Sequence, residues 1–398
     1  MKSRRMDFKR LVLIGGVVFQ VAWYLLLWTR FVASPELKGA DFISFYTAGV
    51  IARSHQPSQI YDLQLQHDLQ QEIVGKQISS TEFLPFLHPP FLVPLQELIA
   101  GSDYRVAYEL WSLILLTFLA VAAILLWYML RSRGWERKTS ALAVISVILF
   151  YPTFISLLKG QDTAFLLMGA FLWLLGFMEE KDWLAGAGLA LTMIRPQLAL
   201  ALAIPFLFKR RKIFLGFLLG GATLAVYSFL MLGMKGTQSF ISTLFLSASG
   251  EGYGLNQAGM FNLTGMLLRL APGLDPGIIQ TIGWIFLATT LTGLCILWGR
   301  SKELGARHIA LAVALSLLAA PHLHYHDLAL LVIALAGLGL AGVRAGRLRP
   351  WQAAALPMIV SVILLVSEFW DPVRFSVPYI LMAGIPVVTW IVEHAKKD

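Results

Sequence analysis

Leu11-Val-Leu-Ile-Gly-Gly-Val-Val-Phe-Gln-Val-Ala-Trp-Tyr-Leu-Leu-Leu-Trp-Thr-Arg-Phe31 is a 21-residue run of almost unbroken apolar sequence. As a helix it would be about 30 Å long, the thickness of the hydrocarbon core of a bilayer. A cleaved signal peptide has a shorter apolar core of ~7–15 residues, and no small-residue cleavage site follows Phe31, so the run reads as a retained signal anchor. The rest of the chain has the same character. Apolar residues make up 57% of it and charged residues 14%, with a mean hydropathy of +0.70. A soluble domain carries roughly a quarter charged residues, so the expected fold class is an all-α polytopic membrane protein.

Working outward, further apolar segments lie at about 105–130, 141–158, 163–178, 183–194, 197–208, 213–233, 277–298, 308–320, 326–343, 351–368 and 376–392. With the first run they make a bundle of about twelve transmembrane helices or half-helices, in a single domain over residues 1–398. Twenty-two of the 32 Lys and Arg residues fall in the termini and the short turns around 131–138, 181, 209–212, 300–307 and 344–349. Basic short loops are cytoplasmic, which puts both termini inside. The net charge of +9 is therefore a topology signal. No aromatic-interleaved basic stripe exists, so nucleic acid is not an expected partner. The single cysteine, Cys295, lies within a span.

Two pairs are too short to cross as ordinary spans: 183–208, broken by Arg195-Pro196-Gln197, and 308–343, broken by Pro321-His-Leu-His-Tyr-His-Asp327. Irregular backbone at depth is tolerated only where protein buries it or where it lines a wet cavity. Reading both as re-entrant pairs keeps every basic turn inside and opens both breaks toward an extracytoplasmic cavity. The long segments 32–104 and 234–276 are then outside. In the first, Phe42, Phe45, Tyr46, Gly49 and Val50 recur at helical spacing, which predicts an interfacial surface helix starting at Asp41. A second helix is expected from Asp62, as a cap, to Gly75. Four prolines in Phe83-Leu-Pro-Phe-Leu-His-Pro-Pro-Phe-Leu-Val-Pro94 forbid a continuous helix and suggest a re-entrant or surface-lying element. In the second segment, Ser247 to Gly259 reads as a mobile loop over the cavity mouth.

Few residues here could carry chemistry. Asp41 is either an N-cap or a general base, and the two roles are compatible, since a cap fixes its carboxylate in place. Arg195 is either a snorkelling arginine or a fork for a phosphate-bearing lipid. His322, His324 and His326 with Asp327 resemble a metal cluster, but the spacing better suits neutral imidazoles hydrogen-bonding a hydroxylated or phosphorylated ligand, and no metal or other cofactor is expected. His88 has packing as its simpler reading, and Gln161-Asp162 a polar turn. No GxGxxG, Walker loop or GxSxG is found, and the inner loops are too short for a nucleotide-binding domain. An activated substrate would have to come from the lipid phase or the outer face.

Several of these residues fall in an order that resembles glycosyltransferase family 87. Asp41-Phe-Ile-Ser-Phe-Tyr-Thr-Ala-Gly49 and Gln56-Pro-Ser-Gln-Ile-Tyr-Asp62 resemble its first outer loop, and His88-Pro-Pro-Phe91 its proline pair. Gly160-Gln161, Ala185-Gly-Ala-Gly-Leu-Ala190 leading to Arg195-Pro196, and Pro321-His-Leu-His-Tyr-His-Asp-Leu328 follow as later landmarks. The chain departs from the pattern at Arg195, Asp162 and Asp327, where lysine, asparagine and histidine are common. The resemblance implies a C-type glycosyltransferase fold, a polyprenyl-phosphate sugar donor (typically mannose), and Asp41 as the general base. On this reading the protein sits in a bacterial plasma membrane and transfers a sugar, with inversion, to a lipid or glycan acceptor at the extracytoplasmic face. Arg195, His88, Gln161, Asp162, His322, His324, His326 and Asp327 would bind donor or acceptor, and membrane lipids would surround the bundle. The rivals are a transporter or flippase of lipid-linked sugar, to which broken helices also point, and an acyl- or phosphotransferase using a histidine as base.

Overall fold

The computed structural model describes residues 8–249 and 257–394. The charges at Lys2, Arg4, Arg5, Lys396 and Lys397 and the centre of the expected loop 247–259 lie outside the described residues. Among those described the regular structure is helical throughout, with no strand. The helices are α1 (Phe8–Ala33), α2 (Phe42–Ser54), α3 (Leu63–Val74), α4 (Val93–Ile99), α5 (Tyr104–Ser132), α6 (Arg137–Ile148), α7 (Tyr151–Lys159), α8 (Thr163–Met178) and α9 (Asp182–Leu191). They continue as α10 (Pro196–Ala203), α11 (Arg211–Ser249), α12 (Leu263–Leu270), α13 (Pro276–Arg300), α14 (Ala306–Ala319), α15 (Leu331–Arg344), α16 (Pro350–Ser367) and α17 (Asp371–His394). Seven helices among the described residues are long and apolar enough to cross a membrane, or eight if the bent pair α6–α7 counts as one span. The chain is a multi-pass membrane protein.

The ends of the helices follow the local chemistry. The Asp62 carboxylate accepts from the N–H groups of Gln64 and Leu65, both at 3.1 Å, and opens α3. Gly75, at φ 78°, closes it. The 183–208 stretch folds back on itself as expected: Arg210 donates to Asp182 Oδ1 at 2.8 Å, so the basic turns at its two ends meet. Arg133 reaches the Met178 carbonyl at 2.7 Å, joining a third basic turn to the same end of the bundle. Close backbone contact holds the hairpin in place. A Cβ on Gly188 would lie 2.2 Å from the Trp173 nitrogen, and one on Gly176 would lie 2.4 Å from that of Ala185. Small residues let α8 and α9 pack this tightly where the apolar solvent offers no hydrophobic drive.

Three expectations change. Helix α2 is enclosed by protein on almost every side: Phe42, Ile43, Ser44, Phe45, Thr47, Ala48, Gly49 and Ile51 are all buried. It lies inside because Gly49 admits α4, whose Gln96 carbonyl is 2.4 Å from where a Cβ would stand. Of the two readings of the proline-rich stretch the surface-lying one is removed, since Phe83 and Phe86 are fully buried. Its unpaired backbone is satisfied by glutamine side chains of α3: Gln66 Oε1 accepts from the Phe86 N–H at 2.7 Å and Gln70 Nε2 donates to the Leu84 carbonyl at 2.7 Å. Finally, Tyr325–Arg344 forms one 20-residue helical stretch, long enough to span, rather than a half-helix. A 3₁₀ turn over Tyr325–Leu330 runs into α15 without a break. In the segment 234–276, helix continues to Ser249 past a non-helical Gly233 at φ 66°, ψ −174°.

Candidate active site

Four sequence-distant polar residues meet at the centre of the bundle because three chain breaks point inward. The first is the turn between α7 and α8. Gly160, at φ 73°, presses on the start of α2, where any Cβ would stand 2.6 Å from Phe42 Cβ. Tyr108 and Trp111 of α5 fix this turn by donating to the Leu158 and Gly160 carbonyls at 2.9 and 2.7 Å. Gln161 and Asp162 follow, both buried. The second break is at Arg195, which precedes a proline and is held off the helical region at φ −123°, ψ 79°. The third is the 321–327 run, where His324 N–H donates to Asp327 Oδ2 at 3.3 Å.

Arg195 is the hub. Its Nε donates to Asp327 Oδ1 at 2.8 Å, and its Nη2 lies 2.9 Å from Asp162 Oδ1 and 3.4 Å from Gln161 Oε1. Its Nη1 meets His88 Nδ1 at 2.9 Å and the Ile194 carbonyl at 3.3 Å. A guanidinium has five N–H donors, and five protein contacts surround this one. The expected phosphate fork is therefore turned largely to protein partners. His88 Nδ1 also lies 2.9 Å from Asp162 Oδ2, closing a ring of Arg195, Asp162 and His88. The backbone of His88 is held from the other side by Tyr61, whose hydroxyl donates to the His88 carbonyl at 2.6 Å. Burial pushes the Tyr61 phenol well above its usual range, so it stays a donor.

Two cavities meet at this hub. The first, of about 740 Å³, is largely apolar and is walled by Leu200 and Ile204, by Ile241, Leu244 and Phe245 of α11, and by Trp284, Leu287 and Leu291 of α13. The second, of about 630 Å³, is more polar and is lined by Asp41, Tyr151, Lys159, Glu368 and Arg374. His88, Gln161, His322, His324 and His326 border both. The three histidine rings follow one another with centroids 4.6 and 5.9 Å apart. Asp327 is buried behind them, 3.6 Å from His326 Nε2.

Asp41 precedes α2 but has helical backbone angles and makes no side-chain capping bond. Its carboxylate is half-buried and borders the polar cavity. The cap reading is thus removed, and the acid is available for another role. Asp41, His88, Gln161 and the histidines share the polar cavity; Asp162, Arg195 and Asp327 are buried beside it, and Arg195 and Asp327 also line the apolar one.

Sequence reasoning passed over Lys159, Glu368 and Arg374. Among the described cations lining the two cavities, Arg195 and Arg374 are in ion pairs, while Lys159 has none and lies 5.0 Å over the Phe31 ring. A lysine directly before Gly160-Gln161, at the end of an apolar helix away from the basic turns, was the available signal.

The sequence model of glycosyltransferase family 87 matches residues 86–321, more than half of the chain. The match takes in His88, Gln161, Asp162 and Arg195 and leaves Asp41 and the His322–Asp327 run outside it. No curated protein matches the chain.

Proposed function

Since the chain belongs to glycosyltransferase family 87, we propose that it moves a hexose from a polyprenyl-phosphate donor to an acceptor hydroxyl on the extracytoplasmic side of a bacterial plasma membrane, with inversion and with both termini cytoplasmic. The observation that carries this reading is an uncapped carboxylate, Asp41, facing a histidine-lined junction onto which an apolar groove opens. The prenyl chain lies in the groove between α11 and α13, among Ile241, Phe245, Trp284 and Leu291. Its phosphate reaches the junction, where His322, His324 and His326 offer imidazole hydrogen bonds, and Lys159 brings a positive charge without an ion pair to the polar cavity beside it. The acceptor enters from the polar cavity. Asp41 takes the proton of the acceptor hydroxyl as its oxygen forms the bond to the anomeric carbon. The bond from that carbon to the phosphate oxygen breaks, and the polyprenyl phosphate leaves with the electron pair. Fixed donors at the junction stabilise the charge that grows on it. Arg195 acts on the junction from behind: it contacts His88 directly and holds Asp327 and Asp162, which flank His326 and His88. Mannose is the expected sugar from the family resemblance.

Asp41→Asn tests the proposal. The variant is nearly isosteric and cannot take a proton. With transfer followed from polyprenyl-phosphate hexose in proteoliposomes, turnover falls by about 10²–10⁴-fold while folding is kept. Near-normal turnover removes Asp41 from the chemistry and the reading with it.

A further inference from the structure

We propose that the distal half of α11, residues 234–249, is a lid hinged at Gly233 over the apolar groove, and that Phe240 and Tyr61 are positioning residues that relay its seating to His88. The inference rests on the glycosyl-transfer reading and adds to it how the lipid tail of the donor governs the reacting end.

The two halves of α11 are anchored differently. The proximal half is locked to α9: a Cβ on Gly186 would lie 2.4 Å from the Ile213 carbonyl oxygen, and one on Gly220 would lie 2.5 Å from Ala190 Cβ. Residues 211–232 make about 33 Å of helix, enough to cross the hydrocarbon core, so the break at Gly233 falls where the helix leaves it. At φ 66°, ψ −174° Gly233 occupies a backbone region almost restricted to glycine, and nothing lies within 4 Å of where its Cβ would stand. A glycine break in open space lets one half turn against the other. Beyond it, Ile241, Leu244 and Phe245 wall the groove, with Trp284 and Leu287 of α13 also lining it. Ile241 is 46% and Phe245 71% exposed, so the lid carries apolar surface for a prenyl chain to cover.

The distal half rests on the turn before α3. A Cβ on Gly236 would lie 2.8 Å from Ser58 Cα, and the Phe240 ring meets the Tyr61 ring with centroids 4.9 Å apart. That turn is stiff: Gln66 Nε2 donates to the Ile60 carbonyl at 2.7 Å, and Asp62 caps α3 directly after Tyr61. Tyr61 donates to the His88 carbonyl at 2.6 Å, and His88 borders both cavities and meets Asp162. A continuous path of side chains thus joins the groove wall to the junction. A ligand shifts an equilibrium by its difference in affinity for the two states. A long prenyl chain covers the Ile241–Phe245 wall only when the lid is seated, with Phe240 on Tyr61 and Tyr61 on the His88 backbone. A short chain does not reach that wall, so tail length is expressed in kcat.

The test uses the full chain with Cys295→Ala, spin-labelled at Gln238→Cys on the lid and Ile278→Cys on α13, in nanodiscs. Undecaprenyl phosphate narrows the label–label distance distribution, geranyl phosphate does not, and Phe240→Ala removes the narrowing. Transfer kinetics use mannose on the same two lipid phosphates, with octyl mannoside as acceptor. Phe240→Ala lowers kcat about tenfold with the long donor and by less than roughly twofold with the short one. Tyr61→Phe keeps the ring and loses only the bond to His88. It gives the same loss with the long donor, and the double variant loses no more than either alone. The proposal is overturned if undecaprenyl phosphate leaves the label distances unchanged, or if Phe240→Ala slows both donors alike, as loss of a merely structural ring would. It is also overturned if the losses from Phe240→Ala and Tyr61→Phe multiply. Absence of transfer from either donor would count against the glycosyl-transfer reading, and the label distances, which need no reaction, would still decide the lid.

Discussion

Replacing Arg195 should unfold before it disarms. In the folded protein its guanidinium lies between Asp162 and Asp327, at 2.9 and 2.8 Å, and both carboxylates are 1% exposed. Arg195→Ala leaves two buried acids facing each other's neighbourhood with no counter-charge. Removing one partner of a buried, hydrogen-bonded ion pair costs about 3–5 kcal/mol, and here one removal strands two partners. Arg195→Lys keeps the charge, but a single ammonium with three donors replaces a fork with five contacts, so a smaller loss of about 1–3 kcal/mol is expected. The assay is reversible unfolding in mixed dodecyl maltoside and dodecyl sulfate micelles, followed by tryptophan fluorescence. A double-mutant cycle with Asp327→Asn should show coupling of about 0.5–3 kcal/mol, with part of the loss recovered in the double variant. Arg195→Ala within about 1 kcal/mol of wild type, combined with a large rise in donor KM, would refute this account and return Arg195 to the phosphate.

Lys159→Met should raise the donor KM and lower kcat, and Lys159→Arg should recover most of both; an unchanged donor KM would mean the phosphate is held by the histidines alone. Gly233→Ala forces a Cβ into a backbone region almost restricted to glycine, which costs of order 1–3 kcal/mol in the same unfolding assay. Because nothing lies within 4 Å of that position, any loss comes from the backbone and not from a clash. Gly188→Val should abolish folding, since its side chain would enter the Trp173 backbone; normal expression would show that α8 and α9 can separate. Cysteines placed at Gln56 and Arg211 test topology: an impermeant thiol reagent should label the first from outside and not the second.

The apolar segments could be read because a bilayer imposes length and hydropathy on each helix independently. Thus 163–178 matches α8 to the residue, and Asp62 and Gly75 bound α3 as a cap and a left-handed stop should. Reading failed where the environment of a segment was another part of the protein. Helix α2 has a helical stripe that fits an interface, but nothing in its own sequence says that α4 and α5 cover the opposite face. The same holds at the hub. His88, Asp162, Arg195 and Asp327 were each noticed, yet spacings from Arg195 of 33, 107 and 132 residues gave no sign that one arginine contacts the other three. So the arginine was assigned to a ligand when its partners were already in the chain. Glu368 and Arg374 were missed for a related reason: a charged pair after a span looks like an ordinary solvated turn.

The division of the interior into two cavities explains why the hub must be rigid. A lipid-phosphate donor and a hydroxylated acceptor have opposite solvation demands, and one chamber serving both would either wet the prenyl chain or dry the acceptor. In the proposed reaction the apolar groove and the polar cavity would separate these demands, and the reacting atoms would meet along their shared border of His88, Gln161 and the 322–326 histidines. Histidine suits that border because a neutral imidazole can hydrogen-bond a phosphate or a sugar without the solvation penalty of a permanent charge. But neutral rings lack the pull of cations, so their contribution depends on position. Asp327 behind His326 and Asp162 beside His88 supply that position, and both acids in turn depend on Arg195. On this view, substitutions in the buried Arg195–Asp162–Asp327 triad that keep the fold should lower kcat more than they raise either KM. They act mainly by loosening the border, since Asp162 lines neither cavity and Arg195 and Asp327 line the apolar one with their polar groups engaged by protein.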